Sequence, residues 1–150
     1  MIQTKQFNFW APLIILLILC YFSLFHQLAK QPINMWDEAS YSLNAQEMIE
    51  RGNPIEVYLL GKPDLYNSKP PLAIWCMAGC IKILGFNELG VRMASAIFAL
   101  LTALLLWIIG IRIVKNNWIA LTLPLVLISS FGYVGWHTAR TGDTDAALAF

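Results

Sequence analysis

Three apolar runs, each about as long as a bilayer is thick, stand on either side of one polar stretch from Lys30 to Lys69. A helix needs about 20 apolar residues to cross the hydrocarbon core, and inside that core only helices and closed barrels satisfy their own backbone. Phe9–Leu28 carries no formal charge apart from His26, Met93–Ile111 carries none, and neither does Trp118–Trp136. The chain therefore reads as an all-α integral membrane protein with three transmembrane helices at about 9–28, 93–113 and 118–136, the third bent at Pro124. The first run is too long for a cleaved signal peptide, and no small-x-small site follows it. Composition matters for what it excludes. At 58% hydrophobic and 13% charged this is no ordinary soluble domain. The Lys and Arg are too scattered for a nucleic-acid surface.

The polar stretch has its own order. Asp37–Arg51 reads as an amphipathic helix, with Tyr41, Met48 and Ile49 on one stripe, Leu43 and Ala45 near its edge, and Glu47 and Arg51 as an i, i+4 pair. Gly52-Asn53-Pro54 stops it. Ile55–Leu60 reads as a short extended piece and Gly61-Lys62-Pro63-Asp64 as a turn. Residues 70–85 are apolar, but only twelve precede Lys82, too few to span. They fit an interfacial or protein-buried helix with Pro70 and Pro71 in its first turn. The outer loop 30–92 thus holds two juxtamembrane helices, about 37–51 and 70–85. Cys20, Cys76 and Cys80 read as packing residues, and His26 and His137 as plain polar residues at membrane borders. Ala146–Phe150 opens another apolar helix, so the chain reads as the N-terminal module of a longer protein.

Arg112 and Lys115 occupy a short loop with no acid, which the positive-inside bias places in the cytoplasm. Residues 30–92 and 137–145 then share the opposite, extracytoplasmic face, provided that 70–85 does not cross. That face collects the chemistry. Asp37 and Glu38 open a helix, Asp37 as its cap and Glu38 against its dipole, and a carboxylate so held near apolar surface can act as a base. Asp143-x-Asp145 offers two carboxylates that a turning backbone could bring onto one metal ion or polar substrate. Metal dependence stays open, with Asp143 and Asp145 as the candidates. Lys69, ahead of Pro70-Pro71 at a helix start, suits a phosphate, with Arg92 and Arg140 as lesser phosphate contacts. Carboxylates and cations beside an interfacial groove fit a substrate with a phosphate head and a lipid tail.

The ordered series Trp36-Asp37-Glu38-Ala39-x-Tyr41, Arg51-Gly52, Lys69-Pro70-Pro71-Leu72 and Gly85-Phe86-Asn87-Glu88 with Arg92 resembles the N-terminal part of the polyprenol-phosphate-dependent glycosyltransferases of the GT-C fold. These are kin of the protein O-mannosyltransferases and of the aminoarabinose transferases acting on lipid A. The resemblance runs from about Trp10 to Phe150. It implies a multi-span enzyme of the membrane that uses a polyprenyl-phosphate-linked sugar. Asp37 matches the family's acidic base, supported by Glu38. Lys69 matches the contact to the lipid phosphate. Asp143 or Asp145 falls at a second acidic position, and the Asp-Ala-Ala-Leu run favours Asp145. Two departures stand out. Ser68 occupies a position where many relatives carry Glu, and family members run to several hundred residues.

The resemblance implies an inverting transfer of a hexosyl or pentosyl group to a hydroxyl of a lipid, glycan or protein. The outer face is periplasmic in a Gram-negative bacterium and luminal in a eukaryote; the lack of a eukaryotic signal favours a bacterial inner membrane with the active loop periplasmic, and the resemblance implies no activity for the isolated 150 residues. A reading of another class is a non-catalytic membrane subunit that binds a lipid phosphate or packs on a partner. Against it, no span carries the mid-membrane ionisable residue that marks many translocation paths.

Overall fold

The computed structural model describes residues 9–65, 69, 71–135 and 137–150. Ser68, Pro70 and Trp136, the last at the end of the third apolar run, lie outside the described residues. The first run forms α1 (Trp10–Cys20), continued by a π-helical turn, Tyr21–Phe25. Helix α2 (Asp37–Arg51) is followed by a two-residue antiparallel ribbon, β1 (Tyr58–Leu59) against β2 (Lys62–Pro63). Then come α3 (Leu72–Leu84), α4 (Glu88–Val114), α5 (Asn117–Ala120), α6 (Thr122–Ser129), α7 (Phe131–Val134) and α8 (Asp145–Ala149).

Helix α4 is the spine. Its 27 residues reach about 40 Å at 1.5 Å each. Among the described residues it is the one helix long and apolar enough to cross a bilayer unaided. It starts at Glu88, not at 93. The Asn87 carboxamide oxygen caps it by accepting the Gly90 N–H at 3.0 Å, and Arg92, which reads as a loop cation, is drawn into the helix by a buried partner described below. The other two runs fall short of unbroken spans. The first leaves helical geometry after Phe25, where the His26 N–H reaches back to the Tyr21 carbonyl at 2.9 Å. The third is helical through α5 and α6 and then breaks at Ser130, whose backbone is extended (ψ 119°). Pro124 is not the break. It sits in the first turn of α6, where a missing N–H costs little.

The polar stretch folds as its pattern dictates. Glu47 and Arg51 pair at 3.4 Å, and Arg51 lies 4.0 Å over the Tyr58 ring, which seats the ribbon on α2. Gly52 ends the helix in the left-handed region (φ 65°) that glycine enters without strain. Two apolar cores flank α4. One joins Ala45 and Met48 of α2 to Ile74, Met77, Ala78 and Ile81 of α3 and to Val91 and Ala94. The other joins Leu16, Cys20 and Leu24 of the first run to Ala99, Ala103 and Trp107, and to Ala120, Leu121 and Ile128. Small residues on α4 let its neighbours approach; a side chain at Gly110 would meet the Ala120 Cβ at 3.0 Å. Large apolar residues such as Trp10, Ile14, Ile108 and Ile113 point outward along α1 and α4. The polar residues collect where the two cores meet.

Candidate active site

An ion pair holds that junction. Arg92 on α4 and Glu38 on α2 are each 2% exposed, with Nε to Oε1 at 2.6 Å and Nη2 to Oε2 at 3.0 Å. Nη1 also donates to the Leu28 and Gln31 carbonyls at 3.0 and 2.8 Å, and Nη2 to the Pro32 carbonyl at 2.8 Å. All five N–H groups of the guanidinium are thereby used. The carboxylate is equally filled, with the Asn34 N–H donating to Oε2 at 2.7 Å and the Gly142 N–H to Oε1 at 2.8 Å. Burial pushes the Glu38 carboxyl up, but the bonds from Arg92, Asn34 and Gly142 outweigh it and hold the group below its ordinary value. Sequence reading made Glu38 the support of the base Asp37, and Arg92 a lesser phosphate contact. In the structure they bind each other, and they tie the chain after α1, the start of α2, α4 and the 142 loop into one node. Gly142 lets the loop come this close, since a Cβ there would collide with Val91 Cγ1 and crowd Glu38 Cγ at 3.2 Å.

Asp37 precedes this node and its carboxylate is exposed. It is the first helical residue and not the cap. The cap position is Trp36, which makes no side-chain cap bond. Trp36 has φ 79° and ψ −119°, a conformation L residues avoid, at a strain of about 1–3 kcal/mol, and its side chain is 85% exposed. Facing Asp37 is the loop after the third run. Asp143, 5% exposed, accepts the Thr144 N–H at 2.6 Å through Oδ1, and its backbone carbonyl accepts the Ser95 hydroxyl of α4 at 2.9 Å. Its Oδ2 lies 3.2 Å from His137 Nδ1. One ligand atom each of Asp37, His137 and Asp143 fall within 4.8 Å of one another. Burial, with the Asp145 and Asp37 charges close by, raises the Asp143 carboxyl above its ordinary value despite the bonds from Thr144 and His137.

Lys69 and Asp145 meet from 76 residues apart, Nζ to Oδ1 at 3.2 Å, both partly exposed. Partial burial works against the Lys69 charge, but Asp145 outweighs it and lifts the ammonium above its ordinary value. The two acids that the sequence left undecided thus take different partners: Asp145 meets the lysine, Asp143 meets His137 and lies near Asp37. Arg140 donates to the Ser23 and His26 carbonyls at 2.8 Å each, where the first helix ends in its π turn. There it sets positive charge against a helix C-terminus and ties the loop to the first run. A cavity of about 620 Å³ is lined by Lys30, Gln31, Trp36, His137, Arg140 and Asp143, with Glu38 and Arg92 also on its wall.

Among the described residues, Asp37, His137 and Asp143 are three whose ligand atoms lie close enough together to hold a metal ion. His137 had no sequence signal beyond standing six positions before Asp143. Tyr41 reads as a stripe residue, yet the charges of Lys69, Asp37, Asp143 and Asp145 all act on its hydroxyl, which burial pushes up.

Residues 68–150 match the family described as dolichyl-phosphate-mannose-protein mannosyltransferase. An uncharacterized protein of Aquifex aeolicus is 30% identical over 84% of this chain and 24% of its own length. The undecaprenyl phosphate-alpha-4-amino-4-deoxy-L-arabinose arabinosyl transferase of Pseudomonas savastanoi is 36% identical over 65% of this chain and 18% of its own length. The protein of the same name from Pseudomonas paraeruginosa is 30% identical over 79% of this chain and 21% of its own length. The chain thus spans about a quarter or less of these curated relatives. No solved structure matches it.

Proposed function

This chain belongs to the dolichyl-phosphate-mannose-protein mannosyltransferase family, and we propose that it forms the N-terminal catalytic module of a membrane glycosyltransferase. The sugar comes from a polyprenyl-phosphate donor, the class named in the Pseudomonas relatives, and goes to a hydroxyl acceptor at the extracytoplasmic face. One observation carries this reading: the polar stretch and the loop after the third run meet through the Lys69–Asp145 contact and the Asp37–His137–Asp143 cluster, with His137 and Asp143 on the wall of the cavity.

In the proposed reaction Asp37 accepts the proton of the attacking hydroxyl. The acceptor oxygen forms a bond to the anomeric carbon as the bond from that carbon to the phosphate oxygen breaks, with inversion. Lys69 exchanges Asp145 for the departing phosphate and offsets its charge. The Arg92–Glu38 node holds the start of α2, and so Asp37, in place. The membrane arrangement supported by apolar length has runs 9–28, 93–113 and 118–136 crossing, α3 lying in the interface and the Arg112/Lys115 turn in the cytoplasm.

Asp37→Asn in the full-length protein should abolish transfer of the sugar with expression and melting temperature unchanged. Near-normal transfer by that variant removes Asp37 from the role of base. A tag at Asn116 that is labelled from outside intact cells would overturn the topology.

A further inference from the structure

We propose that Trp36 is the stacking platform for a sugar ring of the acceptor, held in the cavity that Trp36 lines, which makes that acceptor a glycan or glycolipid. The sugar site stands without the transfer reading; only its assignment to the acceptor rests on that reading. Among the described residues five other than glycine have positive φ, and three of them, Gln27 at 55°, Trp36 at 79° and His137 at 55°, line this one cavity. Strained backbone of this kind persists only where the surroundings enforce it, and it gathers at ligand sites. At Trp36 the enforcement is visible. Arg92 holds the Gln31 and Pro32 carbonyls, Glu38 holds the Asn34 N–H, and the Trp36 carbonyl accepts the Ser40 N–H at 2.9 Å. The side chain, by contrast, is 85% exposed and makes no hydrogen bond or ring contact among the described residues. The fold fixes the backbone and leaves the indole free for another molecule.

The rest of the wall says which molecule. A pyranose presents a face of C–H bonds and a rim of hydroxyls. A flat aromatic ring covers the face, and carboxamides, which donate and accept at once, serve the rim. The cavity offers both. Gln27, Gln31 and Asn34 line it with exposed carboxamides that make no hydrogen bond among the described residues, and Phe131, 75% exposed, adds a second aromatic ring. Its volume of about 620 Å³ falls within the roughly 300–1,000 Å³ of small-molecule sites. A tryptophan that only anchors the chain at a membrane interface needs neither the strained backbone nor the carboxamides. Position favours the acceptor over the donor. Lys69 and Asp145, at the phosphate end of the proposed reaction, do not line this cavity, whereas Asp37 follows Trp36 directly and His137 and Asp143 of its cluster are on the wall. A ring stacked at Trp36 therefore brings its hydroxyl to Asp37 from the cavity, while the donor phosphate comes from Lys69.

The test uses full-length protein in lipid nanodiscs, free of maltoside detergent. It is titrated with the methyl glycosides of glucose, galactose, mannose and N-acetylglucosamine while saturation-transfer NMR reads contact with their ring protons. At least one should bind through its C–H face. Trp36→Leu, which keeps an apolar anchor but no flat ring, should weaken binding about fivefold or more, and Trp36→Phe should keep it within about twofold. Neither should move the melting temperature, because the side chain is exposed. With the bound glycoside as acceptor, Trp36→Leu should raise its KM and leave the KM for the polyprenyl-phosphate sugar unchanged. No glycoside bound, binding indifferent to Trp36→Leu, or equal weakening by Trp36→Phe overturns the sugar site. A rise in the donor KM alone overturns its assignment to the acceptor. Absence of transfer in every variant, with binding still dependent on Trp36, sinks the transfer reading and supports the sugar site.

Discussion

Arg92→Met is the sharpest perturbation of this fold. It removes a guanidinium whose five donors are all engaged and leaves the Glu38 carboxylate, 2% exposed, with only the Asn34 and Gly142 N–H groups. It also strips a donor from the Leu28, Gln31 and Pro32 carbonyls. Breaking a buried pair by deleting one partner costs about 3–5 kcal/mol, because an uncompensated charge stays behind. A melting temperature lower by about 10 °C is expected, read as loss of the monodisperse peak of full-length protein after heating in detergent. Glu38→Gln in the same background should restore part of the loss, giving a coupling of about 2 kcal/mol or more in the double-mutant cycle. The pair also sets an acid limb. The folded Glu38 value lies below the ordinary one, so its stabilisation is complete above the ordinary carboxylate range and is lost as pH falls through the folded value. Arg92→Met should flatten that limb. A change under about 1 kcal/mol, or strict additivity with Glu38→Gln, would refute the node as the anchor of α2.

Other outcomes follow from the same geometry. Gly142→Ala should cost about 1–3 kcal/mol, since the new Cβ collides with Val91 and pushes the Gly142 N–H off Glu38; an unchanged melt would show that the loop has slack. Lys69→Met should raise the KM for the polyprenyl-phosphate sugar while altering stability by about 1 kcal/mol or less, because the pair with Asp145 is partly exposed. A collapse in stability with donor affinity retained would reverse that assignment. Trp36→Gly, at a backbone φ of 79°, should leave stability unchanged or raise it by up to about 1 kcal/mol. A clear drop would show that the indole, and not the backbone, holds the start of α2.

What the sequence disclosed was whatever rests on local period and composition. The bounds of α2 follow from its stripe, its Glu47–Arg51 pair and the glycine after it, and the structure returns Asp37–Arg51 unchanged. The shortness of the apolar piece after Pro71 appears as the 13-residue α3. Counting apolar residues failed where a charge finds a partner. The uncharged run begins at Met93 but the helix begins at Glu88, and Glu38, 54 residues before Arg92, carries that arginine inside. It failed again at Ser130, where an extended residue between weak helix formers interrupts an uncharged run. Among site residues, Asp37, Lys69, Asp143 and Asp145 were visible as polar groups in apolar surroundings. Which of them meet was not, because each pairing joins distant segments. His137 owes its place to the fold of one loop, at a backbone φ of 55°, and period or composition says nothing about that.

The node around Arg92 also fixes an order of biosynthesis. A ribosome delivers Glu38 first, Arg92 54 residues later and Gly142 104 residues after Glu38. Between the delivery of Arg92 and that of Gly142 the arginine can hold only the carboxylate and the carbonyls upstream, so α2 can be anchored before Gly142 is made. The last bond waits for Gly142, which brings Asp143 and Asp145 with it. The acidic residues near Asp37 thus arrive only with the loop that closes the node. A nascent chain stalled short of Gly142 would carry an anchored α2 without the acidic residues that face it.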